Sequence, residues 1–420
     1  MRLSTLFGVL FLQKAAVVDA FNSHWSLPVG GLLVLSAGIA RNYDGEDLLA
    51  KPQWLAAPFA ASILTSLALW ALFIVWAKVP GPTLWRLYPR FLGLYWLTAP
   101  LAWLYAIPYE RFHSPADAVR YNAVTLAVVS VWRVLIISAA LSSLFAIRLR
   151  ATLALTVFFG AVVMLVATYF GPEPVLDLMG GLRLPPEVKV QTDMILNTAC
   201  FSILAVVIAG PLAAMWVPRN PQPQQPPTAA DPSAGEPPSA SPSRGRGALC
   251  FALACVLAWI PALLAAQPEQ RNRRQAQALY ASGKIDELIR ELSIHTRADY
   301  PPNWFPPGAG PLDWRRGFRL DTILPSLSKE SVPWVFETYL YAARHFVASR
   351  RRWSDPSEHW ADTLLNPDYG RFELDRQNPT TLAVLAWLLQ NDPTVTDDHR
   401  AALTPAAPAE PPAPQPESTG

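Results

Sequence analysis

Charged residues are scarce in this sequence. Asp, Glu, Lys and Arg make up 16% of its 420 residues, whereas a soluble domain of ordinary composition has about 25%. The charges nearly cancel, since the net charge is +2, and a balanced chain lacks the basic surface that nucleic-acid binding requires. The composition therefore argues against an ordinary soluble protein, and no nucleic-acid partner is predicted.

Catalytic and metal-binding motifs are missing as well. The three cysteines, Cys200, Cys250 and Cys255, lie inside apolar runs, where cysteine acts as a small core residue rather than as a disulfide partner or a metal ligand. The chain contains no His-Glu-x-x-His, Gly-x-Ser-x-Gly, P-loop or Rossmann glycine pattern. We predict no catalytic residues, no metal and no cofactor, and the absence of these motifs favours a protein that is not an enzyme.

One segment resembles part of a metal motif. Glu110, His113 and Asp117 have the spacing of one helical face, and Glu-x-x-His is half of a di-metal carboxylate site. The second Glu-x-x-His that such a site needs is absent from the chain. The segment is therefore predicted to be a loop at the membrane surface, and a lipid-modifying enzyme that uses His113 is kept as a remote alternative.

Long apolar runs are what the sequence does contain. A helix needs roughly 20 apolar residues to cross the hydrocarbon of a bilayer. A shorter run at 25–41 is predicted as a seventh span. The windows that meet the requirement are 54–77, 91–108, 122–147, 150–171, 196–217 and 248–266. The predicted fold is all-α: a polytopic transmembrane helical bundle of six or seven spans with a small soluble C-terminal helical domain.

Composition also divides the chain. Residues 218–247 hold nine prolines and are predicted to be a disordered, extended linker between the transmembrane bundle, 1–217, and a final transmembrane helix, 248–266. A soluble helical domain is predicted over 267–395. The Pro/Ala-rich residues 396–420 are predicted to be a disordered tail.

The predicted C-terminal domain begins with two amphipathic helices that meet at Gly283. Apolar residues recur at spacings of three and four on both sides of this glycine, which is typical of an αα-hairpin. Further helices are predicted from Ser331, a candidate N-cap, and over residues 380–390. Between them, Trp304 and Phe305 are flanked by proline pairs; they form either an interaction surface for a partner or part of the domain's own core.

Arg133 carries a charge in the middle of an apolar run. The next arginines, Arg120 and Arg148, are 13 and 15 residues away, about 20 Å along a helix on each side, so the side chain cannot reach either membrane surface. No span contains Asp or Glu. The remaining candidate partners are Asn197, tyrosine hydroxyls, carbonyls freed by prolines, and a bound anion. Arg133 and Asn197 are therefore the predicted ligand-binding residues, unless Arg133 only fixes helix packing.

Three functions remain open at this stage. The leading prediction is membrane anchoring or scaffolding, in which residues 267–395 bind a protein partner. The alternative is a permease-like bundle that handles an anionic solute or a lipid head group through Arg133, and the lipid-modifying enzyme is a third possibility. The composition is typical of bacterial multi-pass proteins, so the bacterial cytoplasmic (inner) membrane is the predicted location. Lys and Arg are divided almost evenly between alternate loops, which leaves the side of the C-terminal domain and the oligomeric state open.

Overall fold

A computed structural model describes residues 1–41, 46–77, 85–169, 187–217, 243–302, 304–310, 320–327, 332–349 and 379–403. All of the regular secondary structure in these ranges is helical, which confirms the all-α prediction. The chain divides into two compact units, and the first passage from one unit to the other falls between Gln270 and Arg271. The first unit is the bundle and the second is the C-terminal domain.

Six helical segments among the described residues are long and apolar enough to cross a membrane. A bent helix pair at the N-terminus adds a seventh if the pair is one span. The six segments are Pro52–Ala77, Tyr88–Arg111, Asp117–Phe145, Leu149–Ala167, Asn197–Trp216 and Gly245–Ala265. The prediction of six or seven spans is confirmed, because each predicted window coincides with one of these segments.

The N-terminal third of the bundle begins with three short helices, α1 (Leu3–Leu10), α2 (Lys14–Asn22) and α3 (Ser26–Ala40). The axes of α2 and α3 are bent by 104° relative to each other. Leu6 and Val9 of α1 lie in the bundle core. The Thr5 hydroxyl of α1 donates a hydrogen bond of 2.7 Å to the Asp19 carboxylate of α2, which connects these two helices.

The central spans follow in chain order. Their helices are α4 (Ala56–Ala77), α5 (Tyr88–Trp96), a 3₁₀ segment (Ala99–Ala106), α6 (Pro115–Phe145), α7 (Leu149–Tyr169) and α8 (Glu187–Trp216). Helix α6 begins where the Ser114 side chain accepts the backbone N–H of Asp117, and it ends at Ala146, whose φ of 53° is left-handed. The Thr152 hydroxyl of α7 donates to the Ser138 carbonyl of α6 at 2.8 Å, which holds these two spans together without charge.

The last span consists of α9 (Ser243–Ala258) and α10 (Ile260–Ala265). Helix α9 starts inside the stretch that was predicted as linker; the rest of that linker, 218–242, lies outside the described residues. Val256 and Leu263 of this span form a buried cluster with Ile39 and Leu48. The final span therefore packs against α3 as a member of the bundle.

The second unit has its own core. Its helices are α11 (Gln267–Ala281), which starts in the bundle unit, then α12 (Ile285–Ile294), α13 (Leu320–Ile323), α14 (Pro333–Ser349), α15 (Pro379–Asn391) and α16 (Asp397–Leu403). The hairpin turns at Gly283, whose φ of 75° suits glycine. Buried side chains of α11, α12, α14 and α15 share one core, and they include Ala276, Leu288, Leu292, Val335, Tyr339 and Phe346.

The C-terminal boundary of this unit differs from the predicted one, and two other predictions about the unit are not tested. Helix α16 lies where the predicted tail begins, and its Arg400 donates to the Leu389 carbonyl at 2.9 Å and to the Asp397 carboxylate at 2.6 Å. These bonds join α16 to the end of α15 and close its own first turn. The predicted N-cap Ser331 and the tail from residue 404 lie outside the described residues.

Candidate functional site

Arg133 lies on the inner face of α6. Val129 and Ile136, one helical turn before and after it, are each 1% exposed. Val128 and Val131, on the other side of the helix, are 50% and 61% exposed. Because residues three and four apart share one face of a helix, this pattern turns the arginine toward the protein and the valines toward lipid.

The partner of Arg133 is an aromatic ring. Its guanidinium carbon lies 5.9 Å from the centroid of the Tyr95 ring, within the range of a cation–π contact. Its Nε is buried and has no hydrogen-bond partner among the described residues. Of the partners that the sequence left open, the structure brings a tyrosine to the arginine and leaves one of its donors unused.

A cavity of about 210 Å³ lies beside this arginine. It is enclosed by α3, α4, the broken span that starts at Tyr88, and α6. Its lining comprises Val34, Ala37, Gly38, Arg41, Pro58, Ala61, Ser62, Thr65, Tyr95, Trp96, Ala99, Ala102, Tyr105 and Arg133. No acidic residue occurs in this lining as the structure describes it, and its charged residues are the two arginines.

The second arginine of the cavity was missed by the sequence analysis. Arg41 is the residue that follows α3, and its guanidinium carbon lies 5.4 Å from the centroid of the Tyr105 ring. In the sequence it opens the acidic segment RNYDGED. The signal that could have found it is its position at the end of an apolar run, where a long side chain can turn back along the helix.

The span between α4 and α6 is broken where it lines the cavity. Helix α5 ends at Trp96, and a 3₁₀ helix continues over Ala99–Ala106 with Pro100 in its first turn. Proline lacks the N–H that an α-helix needs at this point. Irregular backbone at membrane depth is tolerated where it lines a cavity or is buried in protein, and a stretch of 3₁₀ helix within a span is a feature of functional hinges.

Two indole hydrogen bonds fix the broken span to its neighbours. Trp96 Nε1 donates to the Ser62 hydroxyl of α4 at 2.9 Å, and Trp103 Nε1 donates to the Ser36 hydroxyl of α3 at 3.1 Å. Each bond gives a partner to an indole N–H that would otherwise be unpaired in an apolar environment. They hold the two walls of the cavity at a defined separation.

The other predicted ligand-binding residue is elsewhere. Asn197 is exposed and does not line the cavity. The structure therefore does not bring Asn197 and Arg133 together in one site. Asn197 stands at the beginning of an apolar window in the sequence, which indicated burial but not the direction of its side chain.

The predicted interaction residues belong to the second unit. Trp304 is 7% exposed, and its ring stacks on Tyr300 with centroids 4.6 Å apart; Phe305 is half-buried. Trp304 thus takes the second of the two roles open to it, packing in the domain core. Contact of Phe305 with a partner stays a prediction.

His113 lies just before the start of α6. Its ring centroid is 4.6 Å from that of Tyr121 and 6.3 Å from that of Tyr109. Within the described ranges, no group of three or more His, Cys, Asp or Glu is arranged to hold a metal ion. The Glu110 carboxylate accepts a hydrogen bond of 2.8 Å from Asn122, so the segment is built from hydrogen bonds and ring contacts.

No protein-family model matches the chain, and neither a curated protein nor a solved structure is significantly similar to it. The functional argument therefore depends on the geometry of the site alone.

Proposed function

We propose that the helical bundle binds an organic anion in the cavity at Arg133, as a permease-like protein does with an anionic solute or a lipid head group. The protein would act as an integral protein of a bacterial cytoplasmic membrane. One observation carries the proposal: Arg133, in the middle of an apolar span, lines a cavity and has a buried Nε without a hydrogen-bond partner among the described residues.

The energetic cost of this arrangement supports the proposal. A charged arginine at the centre of a membrane costs at least about 2.5 kcal/mol on insertion scales. The contact with the Tyr95 ring returns about 0.5–2 kcal/mol, and the cavity lining supplies no carboxylate. An anion bound at the guanidinium would neutralise its charge, so the bundle is expected to be more stable with its ligand.

Thermal unfolding of the purified full-length chain in a mild nonionic detergent tests this function. The probes are sodium phosphate, sulfate, acetate and 3-phenylpropionate, each compared with chloride at equal ionic strength. A ligand that binds only the folded state raises stability by RT ln(1 + [L]/Kd). We expect at least one probe to raise the unfolding temperature of the wild type and to have no effect on Arg133→Gln.

Arg150→Gln is the matched control. Arg150 also lies on a transmembrane helix and also contacts an aromatic ring, with its guanidinium carbon 5.1 Å from the centroid of Trp216, but it is outside the cavity. This variant should respond to the anion as the wild type does. If no probe acts on the wild type, or if Arg133→Gln responds equally, the proposal is wrong.

The docking function of residues 267–395 stays a prediction. What supports it is that the second unit has a core of its own, as an independent module requires. Affinity purification from native membranes of the full chain, beside a chain ending at Gln267, tests it. A stoichiometric protein found only with the full chain is the expected result; identical proteins with both chains would contradict a docking role.

A further inference from the structure

The cavity is too large for a simple inorganic ion. One water needs about 10–15 Å³ of volume measured with a water-sized probe, and the cavity offers about 210 Å³. A chloride or sulfate ion at Arg133 would leave most of this space empty or filled with water. The size favours a ligand with an organic body.

Most of the cavity wall is apolar. Helix α3 contributes Val34 and Ala37, α4 contributes Ala61, and the broken span contributes Ala99 and Ala102. These side chains are small, which is what leaves the space open. Apolar walls favour the binding of apolar surface, and they leave the polar groups of a ligand without partners.

The two aliphatic hydroxyls of the wall already use their protons inside α4. The Ser62 hydroxyl donates to the Phe59 carbonyl at 2.9 Å while it accepts the Trp96 indole N–H. The Thr65 hydroxyl donates to the Ala61 carbonyl at 2.6 Å. A sugar, a nucleotide or another polyhydroxylated anion would lose hydrogen bonds to water at this wall, and each unmatched group costs binding free energy.

The guanidinium of Arg133 determines the charge and the geometry that the polar group of the ligand must have. Its carbon lies 5.9 Å from the centroid of the Tyr95 ring, and Arg133 lines the cavity, so the guanidinium is the positively charged group at this wall. A guanidinium edge matches two oxygens of a carboxylate or a phosphate. The other arginine of the lining, Arg41, already has interactions of its own within the chain, so the charge left for a ligand is that of Arg133, and one cation balances one negative charge.

We infer that the ligand is a hydrophobic monoanion: a single carboxylate or phosphodiester group at Arg133 on a body that is otherwise apolar and fills the space between Ala61 and Ala102. This inference deepens the proposed anion-binding function and rests on it. The same chemistry is offered by a water-soluble hydrophobic acid and by an anionic lipid, and the experiment below separates these two sources.

Calorimetric titration of the full chain in detergent provides the test. The probe set is 3-phenylpropionate, gluconate, acetate and 3-phenylpropanol. The first three share a carboxylate; gluconate replaces the apolar body with hydroxyls, acetate removes it, and the alcohol keeps the body without the charge. We expect 3-phenylpropionate to bind about tenfold more tightly than acetate or gluconate, because burial of a phenyl-sized apolar group is worth at least that factor.

Two wall variants show whether the body fills the cavity. Ala102→Leu reduces the cavity and should weaken 3-phenylpropionate binding about tenfold while acetate binding changes little. Ala106→Leu is the matched control, since Ala106 lies in the same 3₁₀ segment but outside the cavity lining, and it should bind as the wild type does. Arg133→Gln should abolish binding of all carboxylates, which keeps the test informative if Ala102→Leu does not fold.

The outcomes separate the two proposals. Equal affinities for acetate, gluconate and 3-phenylpropionate, all lost in Arg133→Gln, would overturn the hydrophobic monoanion and leave anion binding standing. Binding of 3-phenylpropanol as tight as that of its acid would overturn it too. Absence of any binding that depends on Arg133 would overturn both proposals.

Binding measured in lipid nanodiscs shows whether the ligand is a water-soluble acid or an anionic lipid. Discs of phosphatidylcholine are compared with discs that also contain phosphatidylglycerol, a phosphodiester monoanion. If the anionic lipid occupies the site, its presence should reduce 3-phenylpropionate binding to the wild type. If 3-phenylpropionate binds equally well in both kinds of disc, the ligand is a water-soluble hydrophobic acid, which is the other of the two sources.

Discussion

The guanidinium carbon of Arg133 on α6 lies 5.9 Å from the centroid of the Tyr95 ring, on the broken span. Arg133 is the only arginine in the interior of the 122–147 apolar window. Both residues of the pair line the cavity, and α3 and α4 also contribute to its wall. The Tyr95 ring lies against the guanidinium of Arg133 but has no negative charge that would neutralise it. The pair therefore leaves the charge available to a ligand, and four predictions follow from this and from other contacts of the described residues.

Arg133→Leu should stabilise the ligand-free bundle. Removal of the charge relieves about 2.5 kcal/mol, and loss of the ring contact costs about 0.5–2 kcal/mol, so we expect a gain of about 1 kcal/mol in the free energy of unfolding in detergent. Arg150→Leu, which removes an exposed arginine from the Trp216 ring, should be neutral or slightly destabilising. A clear loss of stability in Arg133→Leu would instead show that Arg133 fixes helix packing.

Gly245→Ala should disrupt the packing of the last span. A Cβ at this glycine would overlap the indole of Trp25, and a rigid ring cannot shift without repacking its neighbours. We expect a loss of about 1–3 kcal/mol, measured as a lower unfolding temperature of the full chain. Gly247→Ala is the control because its Cβ meets no atom within 4 Å; a helical Gly→Ala change at an open position is neutral or stabilising.

Tyr300→Phe should stabilise the C-terminal domain. The Tyr300 hydroxyl is buried and has no hydrogen-bond partner among the described residues, so its removal relieves an unsatisfied polar group, worth about 1 kcal/mol. Burial, with a smaller contribution from the Glu291 carboxylate, raises the pKa of Tyr300 above its usual value. Because ionisation is disfavoured in the folded state, the wild type loses stability as the pH rises above about 10, the unfolded pKa, and Tyr300→Phe should lose less.

The matched variant for that prediction is Tyr339→Phe. The Tyr339 hydroxyl is also buried, but it donates to the Pro307 carbonyl at 2.8 Å. Its removal leaves that carbonyl without this donor and should cost about 1 kcal/mol. Hydrogen-exchange protection of residues 271–300 in the full chain measures both variants. Equal effects of the two substitutions would contradict the prediction.

Asp299→Asn should remove a pH-dependent contribution at the end of the helical hairpin. The backbone N–H and the hydroxyl of Thr296 donate to its carboxylate at 2.7 and 2.8 Å, and they lower the pKa of Asp299 below its usual value. The stabilisation is present above the unfolded pKa of about 4 and is lost as the pH falls through the lower folded-state pKa.

Hydrogen exchange of residues 296–300 measures this contribution. Asp299→Asn should lower the protection at neutral pH and match the wild type at a pH below the folded-state pKa. Asp286→Asn removes the same charge from the first turn of α12 and controls for net charge. A difference between Asp299→Asn and the wild type that persists unchanged in acid would argue against the carboxylate as its source.

The helical spans could be predicted from the sequence because their cause is local. Backbone groups in hydrocarbon must be satisfied within the segment, so every apolar run of sufficient length had to become a helix. The same locality made the hairpin at Gly283 predictable, since two apolar stripes at helical spacing must face one core. The sequence did not predict where a span is broken. The break at Trp96 depends on a nearby proline and on the packing of two indoles at the same time.

The sequence by itself determined that Arg133 is embedded in the membrane and has no carboxylate partner within the spans. Only the tertiary structure decided what surrounds it: the Tyr95 ring, the second arginine Arg41, and the cavity that Asn197 does not reach. The physical reason is that burial and charge depend on a residue's own segment, whereas a cavity depends on the separation between helices. That separation is set by packing contacts such as Trp96 with Ser62, which join residues far apart in the chain.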